Sequence, residues 1–259
     1  MIIFCGQLPD VSSLAEEMGV DIKPIREINE EYKEILQGYD LILVDETQRI
    51  YTHQLEIIKN QVSENDILCI FFHDGEQIFS TEEEKRRNCE KIKEISGESF
   101  ELSEKVRTNK NLASFIKNIF DLGKRNAGAN YDCVNVVFSK NNSDAENVLK
   151  HFRSRGYEFI NFTTAYSKKT PFDCFKGMTH HDTHNVIGQE YDNVIIVLNK
   201  VFKYDEQGNL RGEKHAVGYL YRNLLFQAVT RAREKLVIVV VENQQLFSKI
   251  NMIKYNNLA

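Results

Sequence analysis

The sequence predicts an α/β protein built on parallel sheets, doubly wound and divided into two domains. Two observations carry this. Short, nearly continuous apolar runs alternate with stretches of helical period, and one polar, glycine-bearing break interrupts the alternation near the middle of the 259 residues. The runs Ile2–Cys5, Leu41–Val44, Ile67–Phe72, Cys133–Phe138, Val194–Leu198 and Leu236–Val241 read as buried strands. They are rich in Ile, Val and Phe and lack polar alternation, as expected for a parallel sheet covered on both faces. Helices are expected at about Val11–Met18, Glu30–Gln37, Thr52–Gln61, Glu82–Ile95, Asn111–Leu122, Ser143–Arg155 and Tyr219–Arg233. Thr81 before Glu84 and Ser143 before Glu146 have capping-box spacing. Gly123–Asn130 reads as the linker, giving domains over 1–123 and 131–259. Gln207-Gly208-Asn209 within Lys203–Gly212 reads as a hairpin turn.

Composition narrows the function classes. The apolar share of 42% supports a core of useful size, and the net charge of −5 argues against a surface that is basic throughout. A local basic groove stays compatible with it. The five cysteines are scattered singly with no C-x-x-C pair, so a disulfide framework is not expected and a reducing cytoplasm is. Met1–Gln7 has no basic leader followed by a long apolar run, and nowhere do about 18 apolar residues run together; neither a signal peptide nor a membrane span is expected.

Chemistry concentrates where predicted strands end. Leu41-Ile42-Leu43-Val44 runs into Asp45-Glu46-Thr47-Gln48-Arg49, placing two carboxylates at the carboxyl edge of a sheet, where open α/β sheets bind ligands. Such a pair can hold Mg²⁺ through one acid and activate a water through the other. A solvated loop after a buried strand is an equally good reading of this run by itself. The next strand ends in His73-Asp74-Gly75-Glu76-Gln77. Leu102–Asn109 carries Arg107, whose planar fork suits phosphate oxygens. Thr183–Asp192 precedes a strand, and Gln227–Leu236 brings Arg231 and Arg233 to the end of a helix feeding another.

In this order the segments resemble motifs II to VI of the superfamily 1 helicases, most closely the Schlafen-group-3-like DNA/RNA helicase domain related to UvrD. The strand ending in Asp-Glu-Ala-Gln-Arg matches Val44–Arg49 with Thr47 in place of alanine. The strand-Asp-x-x-Gln element matches Phe72–Gln77, and Leu-x-x-x-x-Arg matches Leu102–Arg107. His-x-x-x-Gly-x-Glu-x-Asp-x-Val matches His184–Val194, with Ile187 where relatives carry glutamine, and Thr-Arg-Ala-Arg-Glu matches Thr230–Glu234. The resemblance covers nearly the whole chain and implies two RecA-like domains, the first truncated at its N-terminus.

The resemblance also implies roles. Asp45 holds Mg²⁺, Glu46 is the catalytic base and Gln77 senses the γ-phosphate or places water. Arg107 and Arg231 reach the γ-phosphate. Gly188 and Glu190 bind the nucleotide, Glu190 at its ribose, while Thr183 and His184 face single-stranded DNA or RNA or couple it to the nucleotide. The implied activity is Mg²⁺-dependent ATP hydrolysis coupled to movement on a strand. Plain alternatives stand beside these roles: ordinary helix C-terminal charge for Arg231 and Arg233, and a surface ion pair for Arg107 and Glu190.

One element of the family is missing. No G-x-x-x-x-G-K-[ST] occurs in the sequence, so nothing in it offers the backbone N–H cradle and lysine for the β- and γ-phosphates. Met1–Gln7 resembles motif Ia, which follows that loop in the family. The expectation is a fragment, a chain completed by a protein partner or N-terminal segment, or a degenerate relative. The isolated chain is expected to be inactive, with the Asp45–Glu46 strand left with an open edge and uncovered apolar surface. The rival readings are a catalytically inactive interaction module of helicase fold, and zinc held among Cys174, His180, His181, Asp182 and His184, whose spacing matches no zinc pattern.

Overall fold

The computed structural model describes residues 1–4, 11–31, 33–101, 108–165 and 168–255. The chain divides into two compact units, Met1–Glu101 and Leu102–Ala259. The division falls earlier than the Gly123–Asn130 linker, because the helix before that linker packs on the strand and helix that end the chain, and so belongs to the second unit.

The first unit holds a four-stranded parallel sheet in the order β2-β1-β3-β4, with β1 at Ile2–Phe4, β2 at Ile22–Pro24, β3 at Leu41–Asp45 and β4 at Leu68–Phe71. Its helices are α1 (Val11–Met18), α2 (Thr52–Glu64), α3 (Thr81–Arg86) and α4 (Asn88–Ile95). Expected strands Ile2–Cys5, Leu41–Val44 and Ile67–Phe72 appear as β1, β3 and β4. The expected helix over Glu82–Ile95 is two helices, broken where Arg87 takes φ +53°. The cap is Ser80, one residue before the expected Thr81, and its hydroxyl accepts from Glu83 N–H. Glu30–Gln37 forms only a single 3₁₀ turn over Lys33–Leu36.

Register explains the packing of this sheet. Ile3, Ile42, Val44, Cys69 and Phe71 share one face, and α2 and α4 cover it with Leu55, Ile57, Ile58 and Ile92. On the opposite face Leu41, Leu68, Ile70 and the following Phe72 stand exposed, at 39%, 63%, 42% and 43%. The doubly covered pattern expected of parallel strands fails on this face at β3 and β4, whereas Phe4 and Ile22 on the same face of β1 and β2 are buried. The open edge expected for β3 is not found: β3 pairs with β1 on one side and β4 on the other, so the open feature is an apolar face and not an unpaired backbone beside Asp45.

The second unit holds the parallel sheet β5-β10-β7-β6. Its strands are β5 (Val134–Ser139), β6 (Glu158–Phe159), β7 (Tyr191–Leu198) and β10 (Ala232–Val241), the last strand of the chain inserting between β5 and β7. β7 and β10 are enclosed over Val194–Leu198 and Leu236–Val241, the two most apolar runs of the sequence. Strands β8 (Phe202–Tyr204) and β9 (Leu210–Gly212) form the antiparallel hairpin expected from Gln207-Gly208-Asn209.

The helices here are α5 (Lys110–Phe120), α6 (Asn142–Arg153), α7 (Tyr221–Val229) and α8 (Gln244–Lys254). Helix α6 is capped by Asn141, which accepts from Asp144 N–H, and not by Ser143. The expected helix over Tyr219–Arg233 stops at Val229, and Arg233 already belongs to β10. Sheet pairing from Ala232 onward wins over helix continuation there. Among the described residues no helix is long and apolar enough to cross a membrane, and the four described cysteines are free. Burial pushes the Cys69 thiol up to about 12.

Candidate functional site

In the first unit the polar groups gather beyond the carboxyl ends of β3 and β4. Asp45 closes β3 half-buried, and its Oδ1 accepts the Glu46 N–H at 2.9 Å. Glu46 then takes φ +52° and ψ +40°, a left-handed turn that starts the 3₁₀ segment Thr47–Arg49. A non-glycine residue in this conformation costs of order 1 kcal/mol and marks a turn held by its surroundings. Thr47 does part of the holding. It is fully buried, its N–H donates to Phe72 O at 2.9 Å, and its hydroxyl lies 2.8 Å from Phe72 O and 3.0 Å from Val44 O. The hydroxyl that distinguishes this chain from the Asp-Glu-Ala pattern therefore ties the end of β3 to the end of β4. Thr47→Ala should lower the unfolding free energy by about 1 kcal/mol, one net hydrogen bond, in a denaturant titration of the chain. A loss indistinguishable from zero would show that the tie is not used.

The acidic side chain of Glu46 does not stand alone. Gln48 Nε2 donates to Glu46 Oε2 at 2.6 Å and Arg49 Nε donates to the same oxygen at 3.2 Å. Arg49 Nη1 lies 3.7 Å from Glu83, its Nη2 donates to Gln77 O at 3.3 Å, and its guanidinium sits 4.1 Å over the Phe79 ring. All three charged side chains are nearly enclosed: Arg49 is 6% exposed, Glu46 14% and Glu83 12%. Burial pushes the Glu46 carboxyl above its ordinary range, Arg49 opposes that shift and the neighbouring Asp45 adds to it. The second loop is joined to the first through Gln48, whose Oε1 accepts the Asp74 N–H at 3.3 Å, and Gln77 Nε2 in turn donates to Asp74 Oδ2 at 3.1 Å. Asp45, Glu46 and Gln77 are thus brought into one network. Arg107 lies outside the described residues.

In the second unit Thr183 and His184 lie with Thr163 beyond the carboxyl end of β6, whereas Gly188, Glu190 and Arg231 gather at the amino edge of the sheet, where β7 and β10 begin. This is the opposite edge from the one that open α/β sheets ordinarily use. Arg231 is 5% exposed, its Nη1 donates to Gln189 O at 3.2 Å, and its carbonyl accepts the Tyr191 N–H at 2.9 Å. Gly188 takes φ +79°, a backbone state that suits glycine, and lets the turn reach Glu190. Glu190 stands 3.7 Å from Arg233, in a partly exposed ion pair of the kind that contributes little. Thr183 is fully buried. Its side chain meets Thr163 within the fold. His184 is half-buried, its Nδ1 2.6 Å from the Thr163 hydroxyl and its ring 5.9 Å from that of Tyr219. Two residues that sequence patterns alone do not single out, Glu83 and Thr163, therefore belong to these clusters, together with Asp182. The capping of His184 and Asn185 N–H by Asp182 was readable in the Asp-x-x-Asn spacing; the contacts of Glu83 and Thr163 span distant segments and had no local signal. Among the described residues no group of three or more His, Cys, Asp or Glu side chains is placed to hold a metal ion, so the zinc alternative finds no ligand set there.

No family model matches the chain, and no curated protein matches it. Among solved structures it is similar to Dbp5 of S. cerevisiae bound to Nup159, Gle1, IP6 and ADP, at 12% identity and a TM-score of 0.42, over 99% of this chain and 76% of that one. It is also similar to a Pif1 helicase from Bacteroides in complex with ADP-AlF3 and ssDNA, at 12% identity and a TM-score of 0.41, over 99% of this chain and 86% of that one. Both overlaps are too loose to transfer chemistry.

Proposed function

We propose that this chain carries the hydrolytic and strand-contacting parts of a helicase- or translocase-type nucleotide triphosphatase with RecA-like units, and that another segment or a protein partner supplies the phosphate-binding loop. The single observation that carries the proposal is the turn at Asp45-Glu46. A half-buried carboxylate and a nearly enclosed one follow each other at the carboxyl edge of a parallel sheet, joined by Gln48 and Arg49 to the next loop. The Asp45 side chain fits Mg²⁺: among the described residues Oδ1 is engaged by the adjacent Glu46 N–H alone, and Mg²⁺ favours one or two carboxylates completed by water and phosphate oxygens. Bound there, Mg²⁺ supplies charge neutralisation at the phosphates. Glu46 is the base in this reading, Gln77 the phosphate sensor, and Gly188, Glu190, Arg107 and Arg231 the further nucleotide contacts. His184 belongs to the contact with single-stranded DNA or RNA.

A protein that joins this chain to a phosphate-binding loop allows a test. Adding Mg²⁺ with ATP should shift the backbone amide resonances of Asp45, Glu46 and Gln77 in the wild type and leave them in place in Asp45→Asn. Equal shifts in both proteins, or none in either, would remove Asp45 as the ligand. A second reading, an inactive interaction module, draws on the engagement of the Glu46 carboxylate by Gln48 and Arg49, since such a carboxylate can serve structure alone. It predicts no Mg²⁺-nucleotide response at Asp45.

A further inference from the structure

The segment after β6 and the turn before β7 share a relay that the roles above leave unused. Thr163 Oγ1 lies 3.2 Å from Asp182 Oδ1, 2.9 Å from Thr183 Oγ1 and 2.6 Å from His184 Nδ1. Asp182 Oδ1 also accepts the N–H groups of His184 and Asn185, at 2.8 and 3.0 Å, so this carboxylate oxygen is the fixed acceptor of the cluster. A hydroxyl has one proton and two lone pairs. Given to His184, the Thr163 proton would leave two oxygens facing each other at 3.2 Å, one of them on a carboxylate, with no proton between. Given to Asp182, it leaves the lone pairs of Thr163 to accept from His184 Nδ1–H and from the Thr183 hydroxyl. Thr183 Oγ1 accepts the Thr163 N–H at 3.2 Å, which leaves its own proton to complete the set. Every polar hydrogen then has an acceptor.

We infer that Thr163 is a positioning residue: it relays the charge of Asp182 to His184 and fixes the imidazole as its Nδ1–H tautomer. In that neutral tautomer Nε2 is the acceptor nitrogen. Any group that His184 engages through Nε2 must then donate. On a nucleic-acid strand this means a sugar hydroxyl or a base N–H and not an ionised phosphate oxygen. The ligand class rests on the nucleic-acid reading of this segment, whereas the tautomer does not.

Long-range ¹H–¹⁵N correlation spectra of the histidine-labelled full chain, recorded where the imidazole is neutral, read the tautomer directly. The wild type and Thr163→Ser should show His184 protonated at Nδ1, and Thr163→Val should lose that preference while its remaining resonances stay native-like. An Nε2–H tautomer in the wild type, or an unchanged Nδ1–H tautomer in a folded Thr163→Val, overturns the assignment. If Thr163→Val does not fold, the wild-type tautomer decides. Fluorescence anisotropy with a labelled oligouridylate tests the ligand class. His184→Ala and Thr163→Val should each bind about fivefold more weakly, the equivalent of one hydrogen bond, with Thr163→Ser near wild type. Equal affinity in all four proteins overturns the donor-ligand statement. No binding by the wild type refutes the nucleic-acid reading and the ligand class with it, while the tautomer spectra still decide the role of Thr163.

Discussion

Arg49→Met should destabilise the first unit by about 3–5 kcal/mol, the usual consequence of removing one partner of a buried ion pair. The size follows from what the guanidinium meets. It is 6% exposed and stands between two nearly enclosed carboxylates, Glu46 and Glu83. It also donates to the Gln77 carbonyl and covers the Phe79 ring. Methionine replaces the stem but leaves two buried charges with no cation. Glu83 keeps the Phe79 N–H at 2.6 Å and Glu46 keeps Gln48 at 2.6 Å, so neither carboxylate is wholly unsolvated, and the loss should fall short of unfolding the unit at room temperature. Adding Glu46→Gln to Arg49→Met should recover part of the loss, because one of the two orphaned charges is gone. Denaturant unfolding followed through first-unit amides measures both variants. Loss below about 1 kcal/mol in Arg49→Met would place the ion pair with exposed, weakly contributing pairs and would remove it as the frame of the Glu46 turn.

The second large effect is expected at Phe162. Its ring is 1% exposed and packs 4.2 Å from Phe172, 5.5 Å from Phe202 and 5.8 Å from Tyr221, ring centre to ring centre. These four rings come from the segment after β6, the stretch before the turn at Phe175, the hairpin strand β8 and helix α7. They are the junction at which the second unit holds its turns against its sheet. Phe162→Ala should cost about 3–5 kcal/mol, as burial is lost and a cavity opens among rigid rings. Because Thr163 is the next residue, the same change should release the His184 ring from its fixed tautomer. Thermal unfolding of the second unit, read beside the histidine spectrum, checks both effects. Undiminished stability would mean that the remaining rings collapse into the space.

The strands that form the two sheets were legible where burial on both faces leaves an apolar run. β7 and β10 are such runs over Val194–Leu198 and Leu236–Val241. β2 was not legible, since Ile22–Pro24 is three residues long and contains a lysine and a proline; it forms only because β1 offers an edge to it. β6, two residues long, is fixed in the same way by β7. Helix α8 could have been read from Asn243 as a cap and from Leu246, Ile250 and Ile253 at helical spacing, yet it is absent from the expected elements. Glu30–Gln37 shows the reverse, a helical pattern of which Lys33–Leu36 keeps one turn.

At the candidate site, Asp45, Glu46 and Gln77 stand at or beyond the carboxyl ends of β3 and β4, where the order of strand and loop in the sequence puts them. Their partners were not visible, because those contacts join segments far apart in the chain. Arg49 meets Glu83, and Thr163 meets His184, only after the sheets have brought their loops together. The enclosure of Thr183 was hidden for the same reason, since nothing in its neighbours marks it as an interior residue.

Turnover decides the central claim. In a protein that joins this chain to a phosphate-binding loop, Mg²⁺-dependent ATP hydrolysis in the presence of a single strand should fall about 10²–10⁴-fold in Glu46→Gln, the range for loss of a general base, with nucleotide binding retained. Turnover equal to wild type in that variant would show that Glu46 serves the fold alone, and would contradict the assignment of the Asp45-Glu46 turn as a hydrolytic centre.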